Sequence, residues 1–194
     1  MKGGGRSAPT WLTDDEYETL SAACDRMVPA SDKGPGAVAA GAPDYIDGLL
    51  GAFSVDPPRI WAGGPTSGRM GGEAGFTSFH RLTALDELAW RMRIEGSLGR
   101  PEREFNGPVT GWQERYRRGL AALGEDFTRV GPDEQDARLR SDREFAALLY
   151  QHLCEGMYGA PEYGGNRDGT AWQAIGFAGD TQPRGWTDAE VTNP

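Results

Sequence analysis

The sequence predicts an all-α protein: an irregular helical bundle of about five helices with long Gly/Pro/aromatic-rich loops. Three observations predict it. Apolar residues recur at intervals of three and four in several segments. β-branched residues are few and never alternate over a useful length, so strand signals are nearly absent. Finally, 29 Gly and 13 Pro among 194 residues give much of the chain to turns and loops.

The first helix is expected from about Thr13 to Val28. Thr13 offers an N-cap, Asp14, Asp15 and Glu16 suit the positive end of the helix dipole, and Tyr17, Leu20, Cys24 and Met27 form its apolar stripe. Pro29 ends it and 32–36 reads as a turn. A second helix over Pro43 to Phe53 carries Tyr45, Ile46, Leu49, Leu50 and Phe53 on one face and should pack against the first. From 54 to 77 the periodicity collapses into a long loop, whose Ile60, Trp61, Met70 and Phe76 suit docking onto a surface. A third helix covers Ala84 to Glu95, ended by Gly96 and Gly99. The clearest pattern runs from Thr110 to Val130, with Trp112, Tyr116, Leu120, Leu123, Phe127 and Val130 in one stripe. Pro132 opens a short helix, and Asp142 to Met157 carries Phe145, Leu148, Leu149, His152, Leu153 and Gly156 on one side.

Length and charge narrow the function. Residues 1–194 are expected to form a single helical domain, with 1–11 a flexible N-terminus. A net charge of -9 repels phosphate backbones and anionic lipid, which argues against nucleic-acid binding. No apolar run approaches the ~20 residues that span a bilayer, and Met1 to Thr10 lacks the apolar segment of a signal peptide, so a cytoplasmic location is expected. Six Trp and seven Phe are too many for a disordered chain.

Reaction chemistry finds little to use. Cys24, His80, His152 and Cys154 lack the paired spacing of a structural zinc site, so no metal is expected, and both cysteines read as buried, unbridged thiols inside helices. His80 and His152 have no Gly-x-Ser-x-Gly or other paired nucleophile to serve. The loop Gly63 to Gly68 lacks the Gly-Lys-Ser/Thr ending of a phosphate loop. Asp14/Asp15 and Asp86/Glu87 lie at helix starts, where the dipole explains them. Neither a catalytic residue nor a cofactor site is therefore assigned.

What remains is aromatic loop. Between Tyr158 and Asp180 six glycines and a proline break helix and strand periods, yet Tyr158, Tyr163, Trp172 and Phe177 give the segment anchors that a floppy linker would not carry. The loops 54–77 and 158–194 are accordingly expected to bind a partner. The interface candidates are Trp61, Phe76, Tyr158, Pro161, Tyr163, Gly164, Gly165, Asn166, Trp172, Gly176, Phe177 and Trp186.

The pattern Tyr158, Pro161, Tyr163-Gly164-Gly165-Asn166, Trp172 and Gly176-Phe177-Ala178-Gly179 resembles the tail of subunit 3, the small subunit, of gluconate 2-dehydrogenase and its relatives in flavin-dependent sugar dehydrogenases. Leu12-Thr13, Met27-Val28-Pro29, Pro35-Gly36-Ala37 and Tyr45-Ile46-Asp47 resemble that family's opening helices. The middle, 54–107, matches no part of the pattern. The resemblance implies an α-helical, non-catalytic accessory subunit that holds no cofactor. Its implied partner is a larger catalytic subunit of the glucose/methanol/choline oxidoreductase type, carrying FAD and oxidising a sugar or sugar acid. Many family members begin with a twin-arginine export signal, which Met1 to Thr10 lacks. Two other readings stay open: a stand-alone helical enzyme with His80 or His152 as base, and a transient folding factor for a flavoenzyme.

Overall fold

Helix-forming periodicity becomes eight α-helices in the computed structural model, which describes residues 11–56, 58, 60 and 82–178. They are α1 (Asp14–Met27), α2 (Gly36–Ala39), α3 (Ala42–Leu50), α4 (Ala84–Ile94), α5 (Trp112–Leu123), α6 (Pro132–Ser141), α7 (Arg143–Tyr158) and α8 (Thr170–Ala174). Among the described residues β-pairing is limited to two isolated bridges, Ser31 with Gly34 and Gly96 with Thr110. The all-α class holds, with more and shorter helices than the periodicity alone suggested.

The start signals act as read. Thr13 and Glu16 form a reciprocal capping box on α1, and Thr83 and Asp86 form another on α4. Two helices were not foreseen, α2 and α8, because four or five residues are too few to express a period. The long helix expected over 110–130 stops at Leu123. Gly124 turns left-handed in φ, at +88°, and the chain folds back on itself. Phe127 still enters the core, carried there by the turn rather than by helical phase. Arg138 closes this corner: its Nη1 donates to the Leu123 carbonyl at 2.8 Å and its guanidinium pairs with Asp126 and Glu134.

α1, α3, α5 and α7 enclose the main core, in which Leu20, Ile46, Leu50, Tyr116, Phe127, Leu149 and Leu153 are buried. Each large apolar side chain buried there contributes about 1.5–3 kcal/mol. Cys24 belongs to this core, whereas Cys154, expected to be buried, is half-exposed on α7 because its helical phase puts it beside the solvent-facing Tyr150 and Glu155; both thiols are free. A second, smaller cluster of Leu49, Ala52, Ile60 and Ile94 joins α3 to α4, with Trp90 and Trp112 packed on it. α5 and α7 cross at a glycine: a Cβ on Gly119 would lie 2.2 Å from the Phe145 ring.

Polar ties hold the periphery. Arg26 grips Asp136 through two parallel bonds of 2.5 and 2.9 Å, fastening α1 to α6. Asp47, 2 % exposed, accepts the amides of Trp11 and Leu12 on the same Oδ1 at 2.9 and 2.8 Å, which pins the entry to α1 against α3. Because one oxygen takes both amides, Asp47→Asn keeps an acceptor for them while replacing the charged carboxylate by a neutral amide. Urea unfolding of that variant is expected to show a loss of about 1–2 kcal/mol, and Asp47→Ala a larger one.

Candidate partner interface

The tail begins on α7, whose last residue is Tyr158, and then makes two 3-10 turns, Pro161–Tyr163 and Arg167–Gly169, before α8. This corrects one expectation, since the stretch read as free of regular helix contains α8. The glycines explain the rest. Gly165 lies so close to α7 that a Cβ there would sit 2.0 Å from the Gly156 carbonyl oxygen. That approach lets the Asn166 amide donate to the same carbonyl at 2.6 Å.

Asn166 is the fastener. It is fully buried at φ +40°, its Nδ2 donates to the Gly159 carbonyl at 3.0 Å, and its Oδ1 accepts the Ala171 amide at 3.2 Å. One side chain thus ties the end of α7 to the start of α8. Asparagine suits the site because a short amide tolerates left-handed φ and offers both donor and acceptor. Arg167 adds the third tether: its backbone amide donates to the Ala40 carbonyl at 2.9 Å, and its guanidinium pairs with Asp44, which also accepts the Tyr17 hydroxyl.

On this frame the aromatics divide. Trp172 is 8 % exposed, and its indole N–H donates to the Tyr158 carbonyl at 2.7 Å. Phe177 stands edge-on to it, centroids 5.2 Å apart, and remains 47 % exposed. Tyr158 is 43 % exposed. Pro161, Asp168, Trp172, Gln173, Phe177 and Ala178 line an open depression of about 590 Å³.

Of the interface candidates, the structure therefore brings Tyr158, Pro161, Tyr163, Gly164, Gly165, Asn166, Trp172, Gly176 and Phe177 into one folded turn against α7. Gly165, Asn166 and Trp172 face inward and build it; Tyr158, Phe177 and Gly176 face solvent. Trp61, Phe76 and Trp186 lie outside the described residues, as does His80. Asp44 and Arg167, which carry the tether, were not among the candidates, because an ion pair 123 residues apart leaves no local signal.

His152, the other histidine, lies in the core. Its Nδ1 is 3.0 Å from the Tyr116 hydroxyl, the two rings stack, and the Trp112 indole stands edge-on at 4.5 Å. Nε2 is buried with no hydrogen-bond partner. With Tyr116 as donor to Nδ1, the proton of the neutral ring sits on Nε2 beside the aromatic cluster. Burial drives the imidazole pKa down to about 4, against a smaller opposing effect of Glu155. A base closed in this way has no route to a substrate. Among the described residues no group of three or more His, Cys, Asp or Glu is arranged to hold a metal ion. No described helix is long and apolar enough to cross a membrane.

An α-helical scaffold that locks a glycine-asparagine turn onto its longest described helix, and carries aromatic side chains on that turn, defines the class of protein. Within it, the chain belongs to the Gluconate 2-dehydrogenase subunit 3 family, whose model matches residues 14–179. No curated protein and no solved structure matches the chain.

Proposed function

We propose that this chain is the accessory, non-catalytic small subunit of a heteromeric FAD-dependent oxidoreductase of the glucose/methanol/choline type, acting on a sugar or sugar acid. It stabilises or organises the flavin-bearing subunit and binds no cofactor itself. The observation that carries the reading is the tethered turn. Gly165, Asn166 and Arg167 hold it rigidly, so the exposed Tyr158 and Phe177 are presented without the ordering cost that a loose loop would incur on binding. Membership of a family named for a dehydrogenase subunit supports a place in such a complex.

The test uses side chains whose loss leaves the fold intact. Trp172 is unsuitable, since removing it opens the turn itself. Co-expressed with a flavin-bearing catalytic subunit of the proposed type, the Tyr158→Ala/Phe177→Ala chain is expected to bind at least about ten-fold more weakly, as interface aromatics do. Its circular dichroism should be unchanged. Flavin co-purifying at the wild-type level would overturn the interface assignment. Persistent co-elution on size exclusion distinguishes a permanent subunit from a transient folding factor.

A further inference from the structure

The same turn forms one wall of a second cavity, whose lining does not include Trp172. It has a volume of about 250 Å³ and lies between α3, α4 and the end of α7. Among the described residues it is lined by the aromatic Tyr45, Trp90 and Tyr163 and the aliphatic Leu49 and Ile60, with Glu155 as the one charged side chain. Gly159 and Ala160 complete the lining without bulk.

Each part is held in place. Trp90 stands edge-on to Trp112, centroids 6.2 Å apart, and carries the Arg93 guanidinium over its ring at 5.2 Å. The Tyr45 hydroxyl donates to Glu155 Oε2 at 3.0 Å, and Gln151 Nε2 donates to Oε1 at 3.0 Å. Both are neutral donors. No described Lys or Arg, Arg93 included, lies within ion-pair distance of Glu155, whereas Asp44, Glu87, Glu95, Asp126 and Asp136 each pair with an arginine. Each Glu155 oxygen retains a lone pair beyond the bond it already accepts. An aromatic-walled cavity with one unneutralised carboxylate favours a cation with a flat or apolar body, and guanidinium matches both the ring faces and the paired oxygens.

We propose that the cavity between Tyr45, Trp90, Tyr163 and Glu155 receives an arginine side chain of the partner subunit. This rests on the subunit reading above and adds a defined contact to it. Glu155 accepts the guanidinium through the free lone pairs of Oε1 and Oε2, and the aromatic walls cover its faces and its stem. The charge is complementary on the larger scale as well, since the chain carries a net charge of -9.

Tryptophan fluorescence of the full chain, titrated with N-acetyl-arginine amide and with the uncharged N-acetyl-citrulline amide, tests the site directly. The arginine amide is expected to saturate and to bind at least about ten-fold more tightly than the citrulline amide, and Glu155→Gln should erase that difference. Glu155 is exposed, so the variant folds, which circular dichroism checks. In the co-expressed complex, Glu155→Gln is expected to raise the dissociation constant by about ten-fold. Equal binding of the two amides, or none, overturns the proposal. So does arginine-amide binding that emerges only when Arg59, Arg69 and Arg81 are replaced by Gln, for then the chain fills its own cavity. Arginine-amide binding with a Glu155→Gln complex of unchanged affinity assigns the site to a free cation and overturns the partner contact alone. A wild-type chain that forms no complex overturns the subunit reading together with this one.

Discussion

Replacing Gly165 with alanine is expected to lower the unfolding free energy by about 3–5 kcal/mol, among the largest effects of any single methyl group in this chain. The new Cβ would stand 2.0 Å from the Gly156 carbonyl oxygen. The atoms it meets are all Gly156 backbone, so no rotamer change relieves the overlap. The turn must lift from α7, and lifting it breaks the Asn166 amide bond to Gly156 and misplaces the buried Asn166 side chain, whose two bonds join Gly159 to Ala171. Gly164, one residue earlier, is the control. It has φ +95° but open space around a Cβ, so Gly164→Ala carries only the conformational penalty of about 1–2 kcal/mol. Thermal melts of the two variants should differ by several degrees, with Gly165→Ala the lower. Equal melting temperatures would mean that the turn is not seated on α7. Since the same turn leads to Phe177 and walls the Glu155 cavity, Gly165→Ala should weaken partner binding as well.

The second large effect is on pH. His152 titrates near 6.5 in an unfolded chain and at about 4 in the fold, because burial beside Trp112 and Tyr116 disfavours the charged ring. Between those values the unfolded chain binds the proton and the folded one does not. The stability that the neutral histidine contributes is therefore complete above pH 6.5. It falls as pH decreases toward 4, at up to about 1.4 kcal/mol per unit and about 3 kcal/mol in total. Asp126 and Asp136 do not blur this window, since the hydrogen bonds from Arg138 and Arg26 hold both carboxyls below their ordinary value. His152→Phe keeps a ring in the aromatic cluster and removes the titrating group. Denaturant midpoints measured from pH 7 to 5 should decline in the wild type and stay nearly level in the variant. Parallel curves would show that His152 titrates normally and that the core around it is open to water.

The helices were legible because burial imposes a period. Tyr17, Leu20 and Cys24 on α1, and Phe145, Leu148, Leu149 and Leu153 on α7, are spaced as a buried face requires, and Thr13 with Glu16 announces its cap locally. The end of α5 was not legible in the same way. The apolar stripe continues through Phe127, so spacing alone carried the helix past Gly124, whereas a backbone turn delivers that ring to the core. Within the tail, the aromatic and glycine content marked the segment as ordered. It did not separate Trp172, which builds the turn, from Phe177, which the turn exposes.

Composition and spacing alone determined the all-α class and the helix starts, since these depend on neighbours in the chain, and the family showed in the resemblance carried by Tyr163-Gly164-Gly165-Asn166 with Trp172. Tertiary structure decided which side each of those residues faces. The contacts of Gly165 with Gly156, Arg167 with Asp44, Tyr116 with His152 and Tyr45 with Glu155 join parts of the chain that only folding brings together. Direction and burial follow from packing between elements, and a linear pattern does not encode the packing partner.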